Sequence, residues 1–287
     1  MSIRKLLFPA LLAGAVAHGS AGAAALTLDV VNPGEAAIFP VASVLVAGKR
    51  DAILVDAQFS RAEAQKLAER IRASGKRLTT IYISHGDPDF YFGLDVLQQA
   101  FPDAKIVATA QTVEAMHKKA DAKAAYWGPI LKENAPQKIV YPEALKGNRL
   151  TLEGKALIVS GPTPERTYLW IPSIKAVVGG VVLFNGLHVW MADSQTAQSR
   201  QDWLATLDGI AALHPNTVVP GHFAPGAAMT PASIAYTRAY VTRFSDAADK
   251  AANSGELVTT MQKLYPTAGL QSGLQTSAKV AKGEIKW

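Results

Sequence analysis

The chain of 287 residues contains no cysteine. Disulfides are excluded, so stability must come from packing, and any bound metal would have to be held by His, Asp, Glu or water. Long apolar runs are also missing. The longest, residues 6–17, is too short to cross a membrane. No block of like charge and no basic stripe interleaved with aromatics is present, so nothing supports nucleic-acid binding. Repeats at solenoid spacing are absent too. What is present is an ordinary globular balance, 49% hydrophobic and 18% charged, on a length that suits one large domain or two small ones.

The first residues stand apart. Arg4 and Lys5 precede the apolar run, and the small residues Ala21-Gly22-Ala23-Ala24-Ala25 follow it. That is the pattern of a secretory signal peptide over residues 1–24, which predicts a periplasmic or secreted protein with no stable membrane insertion after cleavage. Without Arg4 and Lys5, 27 basic residues oppose 23 acidic ones and the net charge falls from +6 to +4. The expected mature chain is a domain over 25–225 and a helical extension over 226–287. The character changes after Pro225, with helices expected at 231–254, 256–264 and 270–282.

Within the domain, β-branched and alternating residues predict strands over 26–31, 36–48 and 51–56. Ser60 and Glu63 form a capping box, and the helix they open closes at Gly75 with Ala64, Leu67, Ala68 and Ile71 on its buried face. Further helices are expected at 94–100, 112–125 and 198–213, and short strands at 105–108, 168–171, 175–178 and 217–219. A hairpin turning at Glu153-Gly154 is expected within 150–160. His117 reads as solvated and His214 as a helix-end residue.

The stretch Thr80-Ile81-Tyr82-Ile83-Ser84-His85-Gly86-Asp87-Pro88-Asp89-Phe90-Tyr91-Phe92-Gly93 organises the rest. An apolar strand empties into a loop carrying one imidazole and two carboxylates, the way α/β proteins present ligands at a sheet's carboxyl edge. Alternate side chains of an extended loop point the same way, so His85, Asp87 and Asp89 converge, and all three are competent ligands for a divalent cation. Gly-Asp and Asp-Pro are also common turn formers, which gives the loop an equally ordinary explanation.

This stretch resembles the metallo-β-lactamase superfamily signature S/T-H-x-H-x-D-H-x-x-G, with Ser84, His85, Asp89 and Gly93 matching, Asp87 where the second His belongs and Phe90 where the third belongs. Ile53-Leu54-Val55-Asp56 resembles the family's "ILIDTG", whose Asp braces the metal loop. Ser160-Gly161-Pro162-Thr163-Pro164 resembles "GHTPG" with Pro162 for the ligand His. Val177-Val178-Gly179-Gly180 resembles the strand ending in the bridging Asp, here Gly180, and Val218-Val219-Pro220-Gly221-His222 keeps the terminal "VPGH". The resemblance implies an αββα sandwich and a hydrolase acting through metal-activated water. Neither of the two metal positions it implies keeps a normal set of protein ligands.

A single metal site of His85, Asp87, Asp89 and His222 is therefore the expectation, with Zn first, Fe or Mn as alternatives, and a metal-free protein as the other outcome. Asp87 and Asp89 are candidates for general base, with His188 in the 184–193 loop as a supporting catalytic candidate and Asp193 a weaker one. The expected function is hydrolysis of a small-molecule ester, lactone or phosphoester. The alternative is an inactive ligand-binding or interaction protein, with Phe90, Tyr91 and Phe92 lining an apolar pocket. The oligomeric state is left open.

Overall fold

The computed structural model describes residues 25–161 and 166–287. The predicted signal peptide and Pro162 lie outside them. The first half alternates strands and helices: β1 (Thr27–Val31), β2 (Ser43–Ala47), β3 (Asp51–Val55), α1 (Arg61–Ala73), β4 (Arg77–Ile83), α2 (Pro88–Tyr91), α3 (Leu94–Ala100), β5 (Lys105–Ala108), α4 (Ala110–Leu131) and β6 (Glu143–Ala144). The second half is β7 (Arg149–Leu152), β8 (Lys155–Ser160), β9 (Tyr168–Ile171), β10 (Ala176–Val178), β11 (Phe184–Asn185), α5 (Ala197–Ala212), β12 (Thr217–Val219) and β13 (His222–Phe223). Helices α6 (Ala232–Lys250), α7 (Ser254–Leu264) and α8 (Gln271–Ala281) follow.

Six strands form one sheet in the order β1-β2-β3-β4-β5-β6, and five form a second in the order β12-β10-β9-β8-β7. The period of two in each strand sorts the side chains. Val44, Val46, Ile53, Val55 and Tyr82 from the first sheet meet Leu157, Leu169, Ile171, Val178 and Val219 from the second in one apolar cluster. The intervening residues Leu45, Leu54, Ile81, Ile83, Val177 and Val218 belong to a separate cluster that takes in the helices. Two sheets face to face with helices outside is the αββα sandwich, and strands buried on both faces read as continuous apolar runs for that reason.

Register decides where the site falls. β3, β4 and β5 run parallel, with Val55 opposite Tyr82 and Ile83 opposite Ala108. β10 and β12 run parallel with Val178 opposite Val219. The carboxyl ends of both groups come to one edge, where His85 bridges to Arg166 and His222 to Val41.

Two local expectations shift. The strand predicted over 36–48 begins only at Ser43, because Gly34 takes a left-handed φ of 81° and the segment up to Pro40 turns instead. Helix α4 runs on past Ala125 to Leu131, through Tyr126 and Trp127. Pro129 is tolerated because it sits in the last turn, where its missing N–H removes a single rung. Among the described residues no helix is long and apolar enough to cross a membrane.

Candidate functional site

Asp56 ends β3 in a left-handed conformation (φ 63°) and accepts hydrogen bonds from Ser84 N–H and Ser84 Oγ–H, both at 2.8 Å. Burial pushes its carboxyl up to about 7, against those two bonds and the nearby His85, which act to lower it. Asp56 thus ties the end of β3 to the loop after β4 and holds that loop at the sheet edge. Thr167 fastens it from the other sheet, its Oγ1–H donating to Ser84 O at 2.9 Å.

The loop carries two imidazole–carboxylate pairs. His85 Nε2–H donates to Asp87 Oδ2 at 2.9 Å, and Lys123 Nζ from α4 lies 3.7 Å from Asp87 Oδ1. Burial alone would push the Asp87 carboxyl up, but His85 and then Lys123 and Lys119 hold it well below the usual carboxylate range. The second pair spans the sandwich: His222 Nε2–H donates to Asp89 Oδ2 at 2.8 Å, and His222 is 4% exposed. Its Nδ1 is buried with no hydrogen-bond partner among the described residues.

Phe90 stands between the pairs. Its ring is 5.4 Å from the His85 ring and 5.4 Å from the His222 ring, edge-on to each, and Phe184 stacks on the far face of His222 at 4.8 Å. Each carboxylate satisfies its own imidazole, and among the described residues no group of three His, Asp or Glu side chains comes together to hold a metal. At Gly180, where the resemblance places a bridging Asp, φ is +92° and an added Cβ would lie 2.4 Å from Thr167 O. An added Cβ at Gly221 would lie 2.4 Å from Gly180 O in turn. These two main-chain segments are in direct contact, with no room for a side chain at 180.

His188 is elsewhere. It is buried against α6, its Nδ1 2.9 Å from Tyr240 Oη, and its Nε2 has no hydrogen-bond partner among the described residues. Burial pushes it down to about 4. Asp193 lies at the mouth of the site, accepting from Trp190 Nε1–H at 2.8 Å and from Trp287 Nε1–H at 2.7 Å.

What surrounds the pairs is largely aromatic. A narrow recess of about 40 Å³ is bounded by Asp89, Phe90 and His222 at its floor and by Phe39, Trp127, Trp190 and Trp287 at its walls. It opens into an outer cleft of about 580 Å³, which shares Asp87, Lys123, Trp127, Asp193 and Trp287 with the recess and adds Lys118, Lys119 and Arg166. Phe39 packs edge-on to Trp127 at 5.4 Å and to Trp190 at 5.9 Å, and Trp190 meets Trp287 at 5.2 Å. Of the three rings expected to line a pocket, Phe90 does so; Tyr91 and Phe92 turn into the helix-side core. The sequence did not assign Phe39, Trp127, Trp190 or Trp287 to the site. Only the folded chain brings these four rings, spread over 248 positions of sequence from Phe39 to Trp287, to one place.

Residues 37–222 match the family model described as the metallo-beta-lactamase superfamily. No curated protein sequence matches the chain. Among solved structures, a metallo-beta-lactamase family protein from Thermus thermophilus is 18% identical with a TM-score of 0.59, over 90% of this chain and 91% of that one. DIM-1 metallo-beta-lactamase is 18% identical with a TM-score of 0.51, over 77% of this chain and 98% of that one. VMB-1 is 18% identical with a TM-score of 0.54, over 76% and 90%. At such identities the likeness speaks for the fold alone, while the family match covers most of the sandwich and both segments that carry the imidazole–carboxylate pairs. This chain belongs to the metallo-beta-lactamase superfamily.

Proposed function

We propose that the chain is a small-molecule-binding protein built on a hydrolase scaffold and working without a catalytic metal. The superfamily typically binds divalent metals, commonly zinc. The residues of this chain do not fit such a centre. The observation that carries this reading is the Phe90 ring, set 5.4 Å from each imidazole and dividing four potential ligands into two separate imidazole–carboxylate pairs. A catalytic metal site needs three protein ligands around one point, and each half here offers two that already bond to one another. The walls instead offer what a ligand site needs, apolar and aromatic surface with a few placed polar groups, and the outer cleft falls in the usual size range for such sites. Export, expected from residues 1–24, would make the ligand an extracytoplasmic solute.

Elemental analysis of protein purified without added metal tests this, together with melting curves in EDTA, Zn, Fe(II) and Mn(II). The expected result is sub-stoichiometric metal and an unchanged melting temperature in every condition. Stoichiometric metal that disappears in Asp89→Ala and in His222→Ala would overturn it.

One observation favours a second reading, hydrolysis of an ester, lactone or phosphoester: both imidazoles sit within hydrogen-bond reach of a carboxylate at the edge of a cleft, as a general base does. Turnover of p-nitrophenyl esters, lactones or phosphoesters that is lost in His85→Gln would support it.

A further inference from the structure

We infer that the outer cleft takes an organic anion, a carboxylate or a sulfonate or phosphate ester, on an aromatic or alicyclic body that points toward the recess. This rests on the ligand-binding reading above and adds the chemical class of the ligand.

The charge on the cleft walls is the first observation. Lys118, Lys119 and Lys123 of α4 all line the cleft, and Arg166 reaches it from the segment just before β9. Against them stand Asp87 and Asp193. Both carboxylates are already engaged, Asp87 by His85 and Lys123, Asp193 by two indole N–H groups. Among the described residues Lys118 pairs only with the exposed Glu114 of its own helix, an interaction of little worth, and Lys119 forms no ion pair within contact distance, its charge reaching Asp87 from farther off. Arg166 is held in place, its guanidinium 4.5 Å over the Trp203 ring and its Nη1–H donating to Ser194 Oγ at 2.9 Å. Among the described residues, Lys118, Lys119 and Lys123 therefore give the cleft more positive charge than Asp87 and Asp193 offset.

The second observation is where apolar surface lies. Trp127 and Trp287 border both the cleft and the recess, and Phe39 and Trp190 continue inward from them. Cationic groups outside and aromatic rings inside complement an amphiphilic anion. A cationic ligand is disfavoured on two grounds. It would face the lysine wall, and the cation–π position on Trp287 is taken by Lys123, whose Nζ sits 4.9 Å from the ring centroid.

Three isosteric probes test the class by isothermal titration calorimetry on the full chain: 2-naphthoate, 2-naphthalenemethanol and 2-naphthylmethylammonium. Naphthoate is expected to bind at least about tenfold more tightly than the alcohol, the ammonium most weakly of the three. Raising salt to about 0.5 M should weaken naphthoate and leave the alcohol unchanged. The double variant Lys118→Gln/Lys119→Gln, both on the exposed face of α4, should remove most of the naphthoate advantage without altering the circular dichroism spectrum. Trp127→Ala should weaken all three probes alike. Equal binding of the alcohol, preference for the ammonium, or undiminished naphthoate binding by the double variant would overturn the inference and leave the ligand-binding reading standing. No binding by any of the three would overturn both.

Discussion

The two imidazole–carboxylate pairs are chemically alike and physically unlike. His85 and Asp87 are two residues apart on one loop and face the cleft, where Lys123 and Lys119 add positive charge. His222 and Asp89 are 133 residues apart and join the two halves of the sandwich, and the His222 ring packs against both Phe90 and Phe184. A hydrogen bond of one length, 2.9 Å in the first and 2.8 Å in the second, thus serves two ends. In the open pair, solvent and lysines take over when a partner is lost. In the closed pair nothing does, because a buried polar group that loses its partner bears the full cost of desolvation.

The largest expected effect comes from removing the divider. Phe90 is fully buried, so Phe90→Ala should lower the unfolding free energy in urea by about 3–4 kcal/mol. If stability is unchanged, Phe90 is not the packed partition described above. Next comes the contrast between the pairs. Asp89→Ala leaves a buried imidazole with neither ring nitrogen bonded and should cost about 2 kcal/mol, whereas Asp87→Ala leaves His85 at the cleft within reach of solvent and should cost less. Equal losses in the two denaturation curves would erase the distinction between open and closed.

A further contrast concerns the third imidazole. His188 pairs with a phenol and not a carboxylate, and burial depresses it from 6.5 to about 4. The unfolded chain then binds more protons between those values, so His188 contributes stability that is complete above pH 6.5 and lost as pH falls toward 4. Asp56, raised from 3.8 to about 7, works in the opposite sense over the same range. The measurement is therefore the stability difference between wild type and His188→Gln, which should shrink as pH falls from about 7 to 4. A difference that does not vary with pH would mean His188 is not buried in its neutral form.

The sandwich was reached through the resemblance; patterning by itself marked strands, because runs buried on both faces, such as Val44–Leu45–Val46 and Ile53–Leu54–Val55, are apolar throughout and do not say which face meets the other sheet. The convergence of His85 and Asp87 was legible because they are alternate residues of one extended loop. That Asp89 meets His222 was accessible only through the resemblance, because no local rule links positions 133 apart. Two things left no trace. A phenylalanine in an apolar run does not announce that it will separate two histidines, and rings at 39, 127, 190 and 287 have no common period. His188, in a loop rich in turn residues, gave no sign that α6 would cover it; the phenol that receives it belongs to the extension.

The backbone packed around Gly180 has a consequence for any attempt to build a two-metal centre into this chain. The main chain itself now fills the place from which a bridging carboxylate would reach between two metals, with an added Cβ 2.4 Å from Thr167 O. An Asp substituted at 180 would meet backbone, not an empty socket, so a bridging carboxylate cannot be added to this chain without moving its main chain.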